Sequence, residues 1–453
     1  MTAISGFKAY DLRGRVPSEL NPGVAYRIGR AYAEFLRPKR VIVGRDIRLS
    51  SQELCAALTQ GLLDSGVDVH DVGLCGTEVV YFATFAEEMD GGIMVTASHN
   101  PTDYNGMKFV REQSRPISGD TGLKDIQRIA EADDYTTPAA KGTRHPLDIG
   151  PRYIDHLRSY LDPAGLRKLR IVVNAGNGGA GMVIDQLERH LPFEFIKIHH
   201  EPDGTFPNGV PNPLLEGNRL ATIEAIREHG ADLGIAWDGD YDRCFLFDET
   251  GAFLEGYYIV GLLASVFLKR EPGARIVHDP RLTWATREIV ESMGGKAVLS
   301  KSGHAFVKDV MREVDAAYGG EMSAHHYFRR FSYCDSGQIP WLLVTQLMCE
   351  SGKPLSALVG ERIARFPASG EINRKVEDAA ATIRQARERY EPGALHVDFT
   401  DGLSVEFEQW RFNLRSSNTE PLIRLNVESR GDEKLMQEKT AELLRLIGGT
   451  EAD

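Results

Sequence analysis

The sequence predicts an α/β protein: three related α/β domains with mixed, largely parallel sheets, and a smaller C-terminal α+β domain, around one central cleft. Three observations carry this expectation. A basic residue, a short β-branched run and a polar loop recur three times along the chain. Each recurrence leads through a helix-like stretch to a further strand that ends in an unusual loop. The C-terminal part follows a different pattern.

The first recurrence is Arg40-Val41-Ile42-Val43-Gly44-Arg45-Asp46, followed by a helix-like stretch from Gln52 to Ser65 and the run Val67-Asp68-Val69. The second is Arg170-Ile171-Val172-Val173-Asn174-Ala175-Gly176, with Ala180 to His190 and then Phe193-Glu194-Phe195-Ile196. The third is Arg275-Ile276-Val277-His278-Asp279-Pro280, with Thr283 to Met293 and then Ala297-Val298-Leu299. Strands alternating with helices imply crossover units on a largely parallel sheet. In such sheets ligands bind at the loops off the strand ends.

A chain of 453 residues is too long for one core and calls for roughly two to four domains. Boundaries fall near residues 145 and 255, and Phe366-Pro367-Ala368-Ser369-Gly370 reads as a linker and hinge. The expected domains are therefore 1–145, 146–254, 255–366 and 367–453. The last contains a helix from Asp378 to Tyr390, strands near Leu403-Ser404-Val405 and Trp410 to Leu414, and an amphipathic helix from Glu433 to Leu446.

Hydrophobic and charged contents of 42% and 26% describe a soluble globular protein. The formal net charge of −12 argues against a dedicated nucleic-acid binder. Five scattered cysteines without a C-x-x-C pair read as free thiols in a reducing compartment, with no zinc site. The N-terminus has no apolar signal region, and Tyr257 to Leu268, the most apolar stretch, is too short to span a bilayer. A buried helix suits it better. The expected location is the cytoplasm, with no membrane partner.

The first strand-end loop is Thr96-Ala97-Ser98-His99-Asn100-Pro101. It follows the apolar run Gly92 to Val95 and puts Ser98 on the tip of a strand-to-loop turn, where an exposed hydroxyl is expected. A hydroxyl needs a base, a metal or prior phosphorylation to act as a nucleophile. Alone, the segment also fits an Asn-Pro surface turn.

The second loop, Asp238-Gly239-Asp240-Tyr241-Asp242-Arg243, follows Leu233 to Trp237. In an extended segment, carboxylates at i, i+2 and i+4 point to one side. Three clustered carboxylates repel unless a cation neutralises them, and a hard divalent ion, Mg²⁺ foremost, fits oxygen ligands. An EF-hand calcium loop is excluded by Arg243 at the position that needs Gly and by strand-like flanks, including Cys244 to Phe247. A solvated polar turn is the competing reading.

The third loop, Gly319 to His326, offers Glu321 and Ser323 for sugar hydroxyls and His325 for proton movement; His304 sits in a nearby loop, Lys301-Ser302-Gly303-His304. The fourth, Arg415-Ser416-Ser417-Asn418-Thr419-Glu420-Pro421, joins a guanidinium, hydroxyls, an amide and backbone N–H groups, a set suited to phosphate. An ordinary Ser/Asn turn would also fit it. Lys108 and Arg13, the latter in Tyr10-Asp11-Leu12-Arg13-Gly14, are surface cations or phosphate contacts. Together the four loops supply the parts that phosphoryl transfer needs: a metal, cations and an acid/base.

These ordered motifs resemble the α-D-phosphohexomutases, in the bacterial phosphomannomutase/phosphoglucomutase branch, nearly end to end. The resemblance implies a C-terminal domain like the TATA-binding protein and Ser98 as a phosphoserine. It implies Asp238, Asp240 and Asp242 as Mg²⁺ ligands, together with a phosphoserine oxygen on Ser98. Arg243 would hold the phosphoserine region, Glu321 and Ser323 the sugar hydroxyls, and Arg415, Ser417, Asn418 and Thr419 the remote phosphate. Tyr10, Arg281, Gly303, His304 and His325 complete the implied substrate contacts. His325, Lys108 and Arg13 are the candidates for acid/base or electrostatic help. Met322 stands where phosphoglucosamine mutases usually have Gln, Ala324 replaces a common Gly, and Arg281 stands where a Lys is usual.

The expected activity is interconversion of hexose 6-phosphate and hexose 1-phosphate, mannose first and glucose with it, through a hexose 1,6-bisphosphate intermediate that also serves as activator. The expected partner is a hexose monophosphate, and the expected state a monomer or weak dimer. A Mg²⁺-dependent phosphosugar phosphatase and a non-catalytic sugar-phosphate sensor are the alternatives.

Overall fold

The computed structural model describes residues 3–416 and 422–452. It divides into two compact units: residues 1–253 with 330–350, and residues 254–329 with 351–453. The first unit holds two sheets. In one, the strands run Leu12–Arg15, Tyr104–Arg111, Gly91–Val95, Arg40–Arg45, Asp68–Leu74 and Arg144–Pro146. Gly91–Val95 is parallel to Arg40–Arg45 and antiparallel to Tyr104–Arg111, so the sheet is mixed. Its core joins Val41, Val43, Ile93, Val95, Met107 and Phe109 to Ile28, Tyr32, Leu58 and Leu62 of the covering helices.

The other sheet has five strands, among them Cys244–Phe247, Leu233–Trp237, Arg170–Asn174 and Glu194–Ile198 as successive neighbours. Arg170–Asn174 is parallel to both neighbours, and Cys244–Phe247 pairs antiparallel with Leu233–Trp237. Leu233–Trp237 is fully buried and reads as a continuous apolar run, as a central strand covered on both faces must. Its C-terminal end delivers the acidic loop. Helix Ile339–Ser351 returns to this unit, with Trp341 edge-on to Phe195 at 6.0 Å between ring centres.

In the second unit, Lys296–Leu299, Arg275–His278 and Tyr318–Gly320 are parallel neighbours, and His326–Phe328 closes back antiparallel. Helix Gly256–Arg270 is buried along nearly its whole length, as its composition implies. The C-terminal sheet is antiparallel: His396–Asp398, Leu403–Glu406, Trp410–Ser416, Leu422–Ser429, Ile372–Lys375 and Thr450–Glu451. Helices Ala379–Tyr390 and Glu433–Ile447 cover it, each opened by an aspartate, Asp378 or Asp432, that accepts a backbone N–H of the first turn.

The repeat expected from sequence is present, with its helices at Ser51–Asp64, Ala180–Leu187 and Trp284–Ser292. The second ends earlier than expected because Glu188–His190 tightens into a 3₁₀ turn. The expected linker, Phe366 to Gly370, is tied down by local contacts. Phe366 is buried and its carbonyl accepts the Tyr258 hydroxyl at 2.7 Å, while Ser369 N–H donates to Val427 O at 2.9 Å. An apolar ring and made backbone bonds fix this segment within its unit. Among the described residues, no helix is long and apolar enough to cross a membrane, and all five cysteines are free.

Candidate active site

Two groups of side chains form, one in each unit. In the first unit, strand Gly91–Val95 ends in the Ser98 loop. Thr96 Oγ1 accepts Ser98 N–H at 2.9 Å, and Asn100 N–H donates to Ala97 O at 2.9 Å. Ser98 has φ of 48°, a left-handed backbone that costs a non-glycine residue about 1–2 kcal/mol. Strain of this kind persists only where surrounding contacts over-determine it. Contrary to the expected exposed hydroxyl, Ser98 is only 4% accessible. Its Oγ donates to Asp238 Oδ2 at 2.6 Å.

Asp238, Asp240 and Asp242 are buried, with one oxygen from each lying within 4.8 Å of the others. Their convergence does not come from strand alternation, as the i, i+2, i+4 spacing suggests. The chain turns: Tyr241 N–H returns to Asp238 O at 3.0 Å, and Tyr241 takes φ of 44°. The Tyr241 hydroxyl in turn accepts Gly76 N–H at 2.7 Å. Gly239 is needed because a Cβ there would lie 2.5 Å from Ser98 O.

Lys108 is no surface cation. The antiparallel pairing of Met94 with Lys108 carries it inward, and its Nζ donates to Asp240 Oδ2 at 2.7 Å and Asp242 Oδ2 at 2.5 Å. Burial would lower its pKa, but Asp240 and Asp242 raise it above the usual lysine value. Burial likewise opposes the charge on Asp240, yet Lys108 and the Thr77 hydroxyl, 2.5 Å from Oδ2, hold its pKa well down. Asp242 is pushed up, first by burial and then by the charge on Asp240. Asp240 Oδ1 has no hydrogen-bond partner among the described residues. Three buried carboxylates beside a serine oxygen are a donor set suited to a hard divalent cation.

Arg243 Nε donates to Asp238 Oδ2 at 2.9 Å, and its Nη2 forms an ion pair with the same oxygen at 2.8 Å. Its Nη2 also lies 2.5 Å from His99 Nδ1, so that nitrogen accepts and His99 is neutral. Burial and the Arg243 charge hold the His99 pKa well below the usual imidazole value. His99 Nδ1 is 3.0 Å from Ser98 Oγ, but it already takes the guanidinium proton, which leaves the serine proton for Asp238. Arg13 pairs with Asp11 at 2.8 Å and approaches Thr96 O and Asn100 Oδ1 at 3.4 Å. Tyr10 lies half-buried in the bend before Leu12–Arg15.

In the second unit, Glu321 follows strand Tyr318–Gly320. Its Oε1 accepts Gly303 N–H at 2.7 Å and its Oε2 accepts the Tyr327 hydroxyl at 2.5 Å. Burial raises its pKa despite Arg281, which lies 3.7 Å away. Ser323 Oγ is 3.3 Å from Arg281 Nη2 and 3.4 Å from His325 Nδ1. Ala324 closes the turn with φ of 69°, and its N–H returns to Glu321 O at 3.0 Å. His304 opens helix His304–Val314 after Gly303, which has φ of 122°. His326 is structural: its buried ring bonds the Tyr318 hydroxyl at 2.6 Å.

Arg281 is fixed by Asp279, which accepts its Nη2 at 2.7 Å and its backbone N–H at 2.9 Å. It reaches Glu371 at 3.4 Å. Arg415, on strand Trp410–Ser416, meets the same carboxylate at 2.9 Å, and Arg424 at 3.3 Å. Burial would raise the Glu371 pKa, but Arg281, Arg415 and Arg424 outweigh it and bring it to about 2. Asp401 adds a second link, accepting Ser302 N–H at 3.3 Å and lying 3.8 Å from Arg415. Sugar-loop and phosphate-loop residues thus share one polar network. Ser417, Asn418 and Thr419 lie outside the described residues.

Sequence reasoning missed four contributors. His99 stood inside the Ser98 stretch and Asp279 ended the third β-branched run, so both were visible in place but not in role. Thr77 and Glu371 carry no sequence signal; only folding brings them to Asp240 and Arg415.

Models of the phosphoglucomutase/phosphomannomutase family match the chain at residues 5–137 (α/β/α domain I), 151–251 (domain II), 255–366 (domain III) and 371–445 (C-terminal domain). A phosphomannomutase of Escherichia coli is 59% identical over 455 residues, covering 99% of this chain and all of its own. The phosphohexose mutases of Xanthomonas campestris pv. campestris (strain B100) are 57% identical over 446 residues, covering 98% of this chain and 100% of theirs. The crystal structure of a phosphoglucomutase/phosphomannomutase family protein from Burkholderia thailandensis superposes with a TM-score of 0.89 at 32% identity, each chain fully covered. The chain belongs to the phosphoglucomutase/phosphomannomutase family.

Proposed function

We propose that this chain is a phosphohexomutase, interconverting mannose 6-phosphate and mannose 1-phosphate and the corresponding glucose phosphates, with Ser98 as the phosphoryl carrier. The observation that carries the reading is the Ser98 hydroxyl, 2.6 Å from Asp238 in a buried three-carboxylate cluster. A serine with neutral His99 beside it lacks the oriented base of a hydrolytic dyad; a resident phosphoryl group gives it activity instead.

In the forward step the Ser98 Oγ–P bond breaks as the free sugar hydroxyl forms a new P–O bond, giving hexose 1,6-bisphosphate. After the sugar turns over, its other phosphate returns to Ser98 and the monophosphate leaves. Asp238, Asp240 and Asp242, with an oxygen on Ser98, are the residues that would hold Mg²⁺, which supplies charge neutralisation at the transferring phosphoryl group. Lys108 and Arg243 add fixed positive charge on the Ser98 side. Lys108 is held protonated by Asp240 and Asp242, and Arg13 stays charged. His325 is therefore the one of the three acid/base candidates suited to accept the hydroxyl proton. Arg415, oriented by Glu371, binds the phosphate that is not reacting. A cytoplasmic location agrees with the free thiols.

The test is conversion of mannose 1-phosphate to mannose 6-phosphate with Mg²⁺ and catalytic hexose 1,6-bisphosphate present. Ser98→Ala should abolish it, together with the phosphoryl mass on the intact protein. Turnover that survives Ser98→Ala, or stoichiometric release of inorganic phosphate, would sink the assignment.

A further inference from the structure

We propose that Arg48 is a positioning residue for phosphoryl transfer, clamping the backbone that presents Ser98; the inference rests on Ser98 being the phosphoryl carrier. One guanidinium takes four backbone carbonyls, three in the loop and one at the start of strand Tyr104–Arg111. Its Nη2 donates to Ser98 O at 3.0 Å and Asn100 O at 2.5 Å, and its Nη1 to Pro101 O at 2.7 Å and Tyr104 O at 3.0 Å. The residue is only 3% accessible, and its charge faces Asp46, whose Oδ2 lies 3.6 Å from Nε.

Arg48 is itself held from both ends. Asp46 Oδ1 accepts Arg48 N–H at 3.0 Å and the Ser51 hydroxyl at 2.5 Å, at the start of helix Ser51–Asp64. Asp46 N–H donates to Val95 O at 2.9 Å, on the strand that feeds the Ser98 loop. The guanidinium therefore stands on the same sheet that positions Ser98.

This arrangement explains the left-handed Ser98 backbone. The Ser98 carbonyl turns inward to Arg48 while its Oγ reaches Asp238. Gly239 packs against the same carbonyl, so the oxygen is held between a cation and the acidic loop. Only arginine can gather four carbonyls in this way, because its planar fork carries five N–H donors and no acceptor, whereas an ammonium has three donors on a flexible stem. Loss of the clamp frees four carbonyls and releases Ser98 from its strained conformation.

The experiment compares Arg48→Ala and Arg48→Lys with the parent enzyme and Ser98→Ala, all as the full chain. The readouts are kcat and KM for mannose 1-phosphate and phosphoserine occupancy by intact mass. Arg48→Ala should lower kcat roughly 10²-fold, the effect of about a 1 Å misplacement of a reacting group. KM should move by less than about threefold. Arg48→Lys should recover only part of the loss, and guanidinium ion should restore activity to Arg48→Ala, which a merely structural role would not predict. Should Arg48→Ala fail to fold, Arg48→Lys carries the same kcat-against-KM comparison. Folded variants with kcat within about threefold of the parent, or failure of both variants to fold, would overturn the inference. A parent enzyme that turns over but is never phosphorylated on Ser98 would instead overturn the mutase reading, and this inference with it.

Discussion

Ser98 and Asp238 stand 140 residues apart in sequence, yet Ser98 Oγ donates to Asp238 Oδ2 across 2.6 Å. The same carboxylate oxygen accepts Arg243 Nε and is ion-paired with its Nη2. Asp238→Asn keeps the shape but removes the charge that Arg243 faces. Leaving a buried guanidinium unpaired should cost about 3–5 kcal/mol, read in urea unfolding, and Mg²⁺ affinity by calorimetry should fall with it. Unchanged stability together with unchanged Mg²⁺ binding would contradict the assigned role.

Lys108 neutralises two buried carboxylates. In Lys108→Met, Asp240 and Asp242 face each other without an ammonium, and stability should drop by a few kcal/mol, about the loss expected when one partner of a buried pair is removed. Added Mg²⁺ should raise the melting temperature of this variant more than that of the parent, since a ligand that binds only the folded state stabilises it by mass action. Equal Mg²⁺ responses would count against the three aspartates as ligands.

Glu371 joins three arginines, and its pKa of about 2 lies below the roughly 4.3 of an unfolded glutamate. A depressed carboxylate stabilises the fold above its unfolded pKa and loses that contribution as pH falls through its folded value. Glu371→Gln should therefore be less stable by about 3 kcal/mol near neutral pH. The gap to the parent should narrow as pH falls from about 4.3 toward 2. Urea unfolding across that window reads it directly, and a gap independent of pH would remove the electrostatic account.

Ala324 takes φ of 69° in the sugar-loop turn. Glycine carries no Cβ penalty there, so Ala324→Gly should stabilise the second unit by about 1 kcal/mol, partly offset by the flexibility glycine adds to the unfolded chain. A shift in melting temperature reads the sign; a clear destabilisation would mean the methyl group packs more than its strain costs.

Much of the fold and the site is legible in sequence because it depends on local pattern. The apolar runs at Leu233–Trp237 and Cys244–Phe247 are strands with those bounds, and the loop between them carries the expected carboxylates. What is not legible depends on how the chain closes on itself. The spacing of Asp238, Asp240 and Asp242 marks them as a group, but the turn at Tyr241 rather than strand alternation brings them together. Lys108 has the sequence surroundings of a surface charge, and only antiparallel pairing with Met94 turns it inward. Glu371 lies just after a stretch with the composition of a linker, and nothing local marks a carboxylate destined for an arginine 44 residues away.

The return of residues 330–350 to the first unit has a consequence for synthesis. That unit is interrupted by residues 254–329, so its chain is not complete when residue 253 leaves the ribosome. Trp237 Nε1 waits for Gly337 O, and Glu78 waits for Gln338 N–H. At about 5–20 residues per second, roughly 4–15 s of elongation separate the two pieces. Through that interval the nascent first unit must keep its unfinished face from sticking to other chains, an exposure to chaperones and proteases that a continuous domain would not have.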